Sequence, residues 1–101
     1  MEKRKPTYDL ASFRFAFRDQ KSRCATKTAL DSARELGFTL EEMNEAIQSM
    51  KRTHFFKSMT SFTDHTMWQD VYHVPFDGLV LYVKFCADRV TEFRLLSFKE
   101  K

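Results

Sequence analysis

Leu10, Phe13 and Phe17 recur at intervals of three and four, the spacing that gathers apolar side chains on one face of a helix. Asp9 stands just before them with the short acceptor side chain of an N-cap, so a first helix is expected to begin there. A second helix is predicted over about 26–36, burying Ala29, Leu30, Ala33 and Leu36, with Gly37 placed to stop it. The third carries the fullest local signature. Thr39 and Glu42 have the spacing of a capping box, and Phe38 and Met43 that of a hydrophobic staple. Leu40, Met43, Ile47 and Met50 then line one face, while Glu41 and Glu42 set negative charge against the positive end of the helix.

After Arg52 the apolar period changes from 3.6 to 2. Strands are predicted at about 54–61, 66–74, 79–87 and 90–99, joined by 62–65, 75–78 and 88–89. Asp77-Gly78 is a strong turn pair; the other two connections are merely polar. Connections this short imply antiparallel neighbours and a hairpin meander. Leu81, Val83 and Phe85 should face the helices, which turns Tyr82 and Lys84 to the other side. Lys3-Arg4-Lys5-Pro6 reads as an extended arm and residues 20–24 as a basic connector. The expected fold is α+β, three helices layered on a mostly antiparallel sheet, with residues 1–101 forming one domain.

Composition narrows the function classes. Eleven Phe supply bulk for a core, so intrinsic disorder is excluded. No apolar run approaches the roughly 20 residues that span a bilayer, and no apolar segment follows the basic N-terminus as in a signal peptide. Cys24 and Cys86 lie far apart in sequence, which points to a reduced cytoplasm and not to a disulfide framework. Neither the cysteines nor the histidines have metal-ligand spacing, so no metal and no cofactor are expected. The net charge of +3 is unevenly spread. Residues 1–28 carry eight Lys/Arg against three Asp/Glu, residues 29–50 one against five, and residues 51–101 eight against six. A basic N-terminal arm and C-terminal half suit an anionic partner such as nucleic acid.

The run Lys57-Ser58-Met59-Thr60 through Trp68-Gln69-Asp70-Val71-Tyr72 keeps a Lys, a Gln and several hydroxyls on strand positions, which sheet-building alone does not require. Each has a plain structural reading as well. Tyr82 and Lys84 fit a solvated sheet face, and Trp68, which could stack on a base, fits the core better. His54 reads as a surface residue; His65 and His73 could each orient a turn or serve in catalysis. Asp64 and Asp70 form no glycosidase-like dyad, and the chain has no Gly-rich phosphate loop and no nucleophile elbow. Arg14, Arg18, Lys21 and Arg23 form a solvated basic edge or a track for a phosphate backbone. Lys99 shares its alternation with Ser97 but also with Phe93 and Leu95, so period-2 logic alone does not bring Lys57, Gln69, Tyr82 and Lys99 together.

Met1-Glu2-Lys3-Arg4, Ala33-x-Glu35-Leu36-Gly37, the run Lys57-Ser58-Met59-Thr60 through Asp64-His65-Thr66-x-Trp68-Gln69-Asp70-Val71-Tyr72, and the terminal Ser97-Phe98-Lys99-Glu100-Lys101 resemble the motility quorum-sensing regulator (MqsR) family. These are messenger-RNA interferase toxins of type II toxin–antitoxin systems with a RelE-like fold. The resemblance covers essentially the whole chain; it departs from the family pattern in the first helix and in 74–81 and 86–96, the last slightly longer. It implies a sheet-borne active site of Lys57, Gln69, Tyr82 and Lys99, and ribosome-independent cleavage at short GCU-type sequences. It also implies a single-stranded messenger-RNA substrate and a cognate zinc-containing helix-turn-helix antitoxin.

Those residue types suit metal-independent RNA cleavage, in which the 2′-hydroxyl attacks its own phosphate. Two lysines stabilise the charge that develops on phosphorus, Gln69 can hold a phosphate oxygen or a base edge, and Tyr82 can move a proton. With a reference pKa near 10.4, roughly one Lys in a few thousand is neutral at pH 7, and Tyr is about as rarely ionised. Lys57 and Lys99 are therefore assigned to the phosphate and Tyr82 to proton transfer, with His65 as its helper. Ribosome-dependent RelE-like cleavage, docking through the basic arm, and a non-catalytic regulator that holds RNA or an antitoxin are the alternatives.

Overall fold

A computed structural model describes residues 1–88 and 92–101 of the chain. Each helix among them begins at a side-chain cap. The Asp9 carboxylate accepts from the Ser12 backbone N–H at 3.1 Å and starts α1, Leu10–Arg18. Thr26 does the same for Ala29 at the head of α2, Lys27–Glu35. Thr39 and Glu42 form the reciprocal capping box that opens α3, Leu40–Gln48. Gly37 ends α2 with φ of 84°, its N–H reaching the Arg34 carbonyl while Phe38 N–H reaches that of Ala33. That is the paired C-terminal closure only a left-handed residue permits.

The strands are β1 (Glu2–Lys3), β2 (Phe55–Thr60), β3 (Trp68–Phe76), β4 (Leu79–Ala87) and β5 (Phe93–Glu100), preceded at β2 by a 3₁₀ turn over Arg52–His54. They form one sheet in the order β1-β2-β3-β4-β5, each pair antiparallel. The expected α+β architecture stands, with a strand the pattern did not suggest: the basic arm pairs with the edge of β2. Two residues are too few for alternation to show. The connector before α2 adds a parallel bridge, Ala25 to Leu95, and its backbone bonds cover the outer edge of β5.

One face of the sheet is packed against the helices. Tyr72, Val74, Leu81, Val83, Phe85, Leu95 and Phe98 bury there against Phe13, Phe17, Ala29, Ala33, Met43, Ala46, Ile47 and Met50. Phe13 and Phe85 stack with ring centres 3.8 Å apart. Leu40, expected inside, is 53% exposed, because it lies in the first turn of α3 and overhangs the rim of the layer. Leu30 and Leu36 are only partly buried.

Asp70 is fully buried under this face. Its carboxylate accepts from the backbone N–H groups of Thr7 and Tyr8 at 2.9–3.1 Å, and the Tyr8 hydroxyl donates to the Trp68 carbonyl at 2.7 Å. The arm is thereby fixed beside β2.

β2 and β3 differ from expectation at both ends, and β5 runs one residue further, to Glu100. His54 belongs to the 3₁₀ turn, where its Nδ1 accepts from Lys51 N–H. β3 runs on through Pro75 and Phe76, since Asp77 (φ 53°) and Gly78 (φ 79°) make a two-residue turn that lets pairing continue to Phe76 and Leu79. Pro75 is tolerated because β2 has already ended, at Phe55 opposite Tyr72. The expected turn residue Arg89 and strand residue Val90 lie outside the described residues.

Candidate active site

The face turned away from the helices carries the chemistry, and two bulges decide its membership. On β2, Phe55 pairs with Tyr72 and Lys57 with Val71, so Phe56 is an extra residue. On β5, Leu95 pairs with Phe85 and Ser97 with Lys84, which makes Leu96 extra. A bulge reverses the side-chain parity of everything beyond it. Phe55 and Leu95 therefore point to the core while Lys57, Ser97 and Lys99 point away from it.

Directly paired residues share a face, so the pairing sets out rows. One runs Lys57, Val71, Lys84, Ser97; the next runs His73, Tyr82, Lys99. Gln69 sits opposite Met59 one row to the other side. All four expected site residues thus occupy the open face. Tyr82 and Lys99 are brought together directly, with the ammonium 5.3 Å from the phenol ring centre. Lys57 is one row away, near the sheet edge. Gln69 is not close to Tyr82: it lies four residues along β3 from His73, Tyr82's neighbour, about 13 Å.

Lys57 is mostly shielded and forms a 2.7 Å ion pair with Glu2 of β1. Lys57 holds the Glu2 carboxyl below the usual range by that hydrogen bond and its charge. The Phe56 ring lies flat on the His73 imidazole at 4.2 Å. Burial, then the charges of Lys101 and Lys57, push His73 below an ordinary histidine. Lys84 is half-buried, and burial followed by the Lys99 charge lowers it. A hollow of about 340 Å³ at the Gln69 end is lined by Met1, Glu2, Met59, Phe62, Gln69 and Lys84 among others.

His73 and Lys84 share this face without having been among the expected site residues. Both had a signal: His73 has the parity of Gln69, and Lys84 that of Tyr82. His65, in contrast, is exposed in the loop between β2 and β3. That loop meets the sheet at Trp68, five residues along β3 from His73 and about 17 Å away, so His65 is badly placed to assist Tyr82. Asp64, and not His65, orders the turn by accepting from the Thr66 N–H at 2.9 Å. Trp68 is half-buried on the opposite parity with the Lys3 ammonium 4.1 Å over its ring.

The basic edge belongs to the other side of the molecule. Arg23 donates to the Phe17 carbonyl and pairs with Glu41, and Arg18 covers Phe15. A larger hollow of about 520 Å³ lies there, lined by Phe17, Arg23, Cys24, Leu30 and Leu40 among others, but it holds none of the site residues. Cys24 and Cys86 are free thiols, and the described residues contain no group of three His, Cys, Asp or Glu able to hold a metal. None of their helices is long and apolar enough to cross a membrane.

Comparison with known proteins places this face in a family. The family model of the motility quorum-sensing regulator, toxin of MqsA, matches residues 5–100. The chain belongs to the MqsR toxin family. A relative, the mRNA interferase toxin MqsR of Escherichia coli (strain K12), is 36% identical over 101 residues, with both chains covered in full. The MqsR match takes in both bulges and the residues Lys57, Gln69, His73, Tyr82, Lys84 and Lys99, while Glu2 of β1 and Lys101 lie just outside it.

Proposed function

We propose that this toxin is an mRNA interferase, an endoribonuclease that inhibits translation and growth by cutting messenger RNA on the open face of its sheet. The observation that carries the reading is the pair of bulges, which turn Lys57 and Lys99 to the same side as Gln69 and Tyr82. RNA lies across the strands with the scissile phosphate near Tyr82 and Lys99. The 2′-oxygen attacks phosphorus, and the lysine ammonium groups stabilise the charge that accumulates on the phosphorane oxygens. Tyr82 protonates the departing 5′-oxygen. Gln69, too far along β3 to touch the same phosphate, holds a neighbouring nucleotide.

All of residues 1–101 serve this one RelE-like interferase domain, which works in the cytoplasm without a metal and favours GCU-type sequences. Ribosome-independence is supported by the N-terminal arm. Its first residues are built into the sheet as β1, and Asp70 ties down the stretch that follows. A zinc-containing helix-turn-helix antitoxin is the cognate inhibitor. The test is naked RNA incubated with the pure chain in EDTA. Cleavage supports the reading; cleavage only on translating ribosomes, or RNA retention without cleavage, overturns it.

A further inference from the structure

We propose that His73 is the proton acceptor of the cleavage step, taking the 2′-hydroxyl proton of the nucleotide on the 5′ side of the cut. The inference rests on the reading of the open face as a ribonuclease site and supplies the group that reading lacks, since lysine and tyrosine are poor bases at neutral pH.

Position comes first. His73 pairs with Tyr82, and Tyr82 with Lys99, so an imidazole, a phenol and an ammonium follow one another across three strands. The His73 and Tyr82 ring centres are 6.0 Å apart with their planes tilted by 40°, so the two groups can act on one bound phosphodiester. The Phe56 ring packs on the other side of the imidazole with an interplanar angle of 22°. Phe56 is itself the bulged residue of β2, so the irregularity that turns Lys57 outward also supplies the wall that fixes the imidazole plane. His54 spends its Nδ1 on the Lys51 backbone. No described residue hydrogen-bonds a ring nitrogen of His73.

Charge comes second. The arm brings Arg4 and Glu2, the latter already paired with Lys57. β2 contributes Lys57, β4 Tyr82 and Lys84, and the end of the chain Lys99 and Lys101. Burial first, and then the charges of Lys101 and Lys57, push His73 below an ordinary histidine and so favour the neutral imidazole that a base requires. A bound phosphodiester offsets the same charge and makes proton uptake easier as the reaction proceeds.

In the step, the bond from the 2′-oxygen to phosphorus forms as the bond from phosphorus to the 5′-oxygen breaks. The 2′-hydroxyl proton passes to the unprotonated nitrogen of His73, and the Tyr82 hydroxyl gives its proton to the 5′-oxygen. The imidazolium then returns a proton to the tyrosinate through solvent. The products are a 2′,3′-cyclic phosphate and a 5′-hydroxyl end.

The experiment is the pH–rate profile for cleavage of a short RNA in EDTA by the native chain, His73→Gln, His73→Ala, His65→Gln and Lys57→Ala. The native kcat/KM, which reports the free chain, should rise through a midpoint below the 6.5 of an ordinary histidine. His73→Gln should lose that limb and about 10²–10⁴-fold in rate, and added imidazole should partly restore His73→Ala. His65→Gln should match the native chain. In the native chain, the His73 imidazole titration followed by NMR should coincide with the kinetic limb, a readout that needs no variant to fold. If His73→Gln keeps the native rate and limb while Lys57→Ala is inactive, the site stands and the His73 assignment falls. A His73 titration that departs from the limb overturns it too. Absence of any cleavage by the native chain overturns both.

Discussion

Asp70 shows how much one side chain decides. It lies in the run that first drew attention as polar for a strand, yet it faces the helices and holds the arm through the Thr7 and Tyr8 N–H groups. Asp70→Ala leaves those donors without a partner under the sheet, and a loss of about 2–3 kcal/mol in urea unfolding is expected. Tyr72 is the opposite case. Its hydroxyl is buried with no hydrogen-bond partner among the described residues, and burial, reinforced by the Asp70 charge, pushes the phenol up to about 12. A pKa raised in the folded state gives stability that is complete below the unfolded value of 10.0 and is lost as pH rises toward about 12. Tyr72→Phe should therefore be neutral or stabilising at pH 7, and denaturant midpoints between pH 10 and 12 should fall less for it than for the native chain.

At the scale of elements, what was legible in the residues was what local chemistry announces. Asp9, Thr26 and Thr39 cap where their side chains said they would, and Gly37 adopts the left-handed conformation its position required. The space around Gly37 is open, so Gly37→Ala meets only backbone strain, about 1–2 kcal/mol in thermal or urea unfolding. The strands were legible in number after Arg52, and β4 in facing as well, since Leu81, Val83 and Phe85 do turn to the helices, but β5 was not. Phe93, Leu95, Ser97 and Lys99 share one parity in sequence, and nothing in Leu96 marks it as the residue that breaks it. Bulges arise from how two strands fit together, which a single strand's pattern does not record. The same holds for Phe56 and Lys57. Deleting Leu96, the extra residue, leaves Leu95 directly before Ser97, so regular pairing keeps Phe98 in the core and Lys99 on the open face. Such a chain should keep cooperative unfolding and RNA cleavage, whereas inserting one residue between Ser97 and Phe98 reverses the facing of both Phe98 and Lys99 and should lose the two together.

For the whole molecule, the division of labour is by face. The helix side holds the core, the acidic α3 and the Arg23–Glu41 pair, while the open side gathers Lys57, Lys84, Lys99 and Lys101 around His73 and Tyr82. Net charge suggested an anionic partner; only the pairing of strands shows where the charge is concentrated. If three of these cations meet phosphates, the affinity for a non-cleavable 2′-deoxy oligonucleotide should fall with log–log slope near −2 in salt. Glu2→Gln, which removes the carboxylate beside Lys57, should tighten that binding without moving the thermal midpoint.

The claim on which the rest depends is that cleavage is performed by the open face of the sheet. The most direct measurement is the single-turnover rate on naked RNA for Lys57→Ala/Lys99→Ala beside the native chain, with circular dichroism and thermal unfolding on the same samples. The double variant should fold as the native chain does and cut at a rate indistinguishable from the uncatalysed background. A folded double variant that cuts at the native rate would contradict the account.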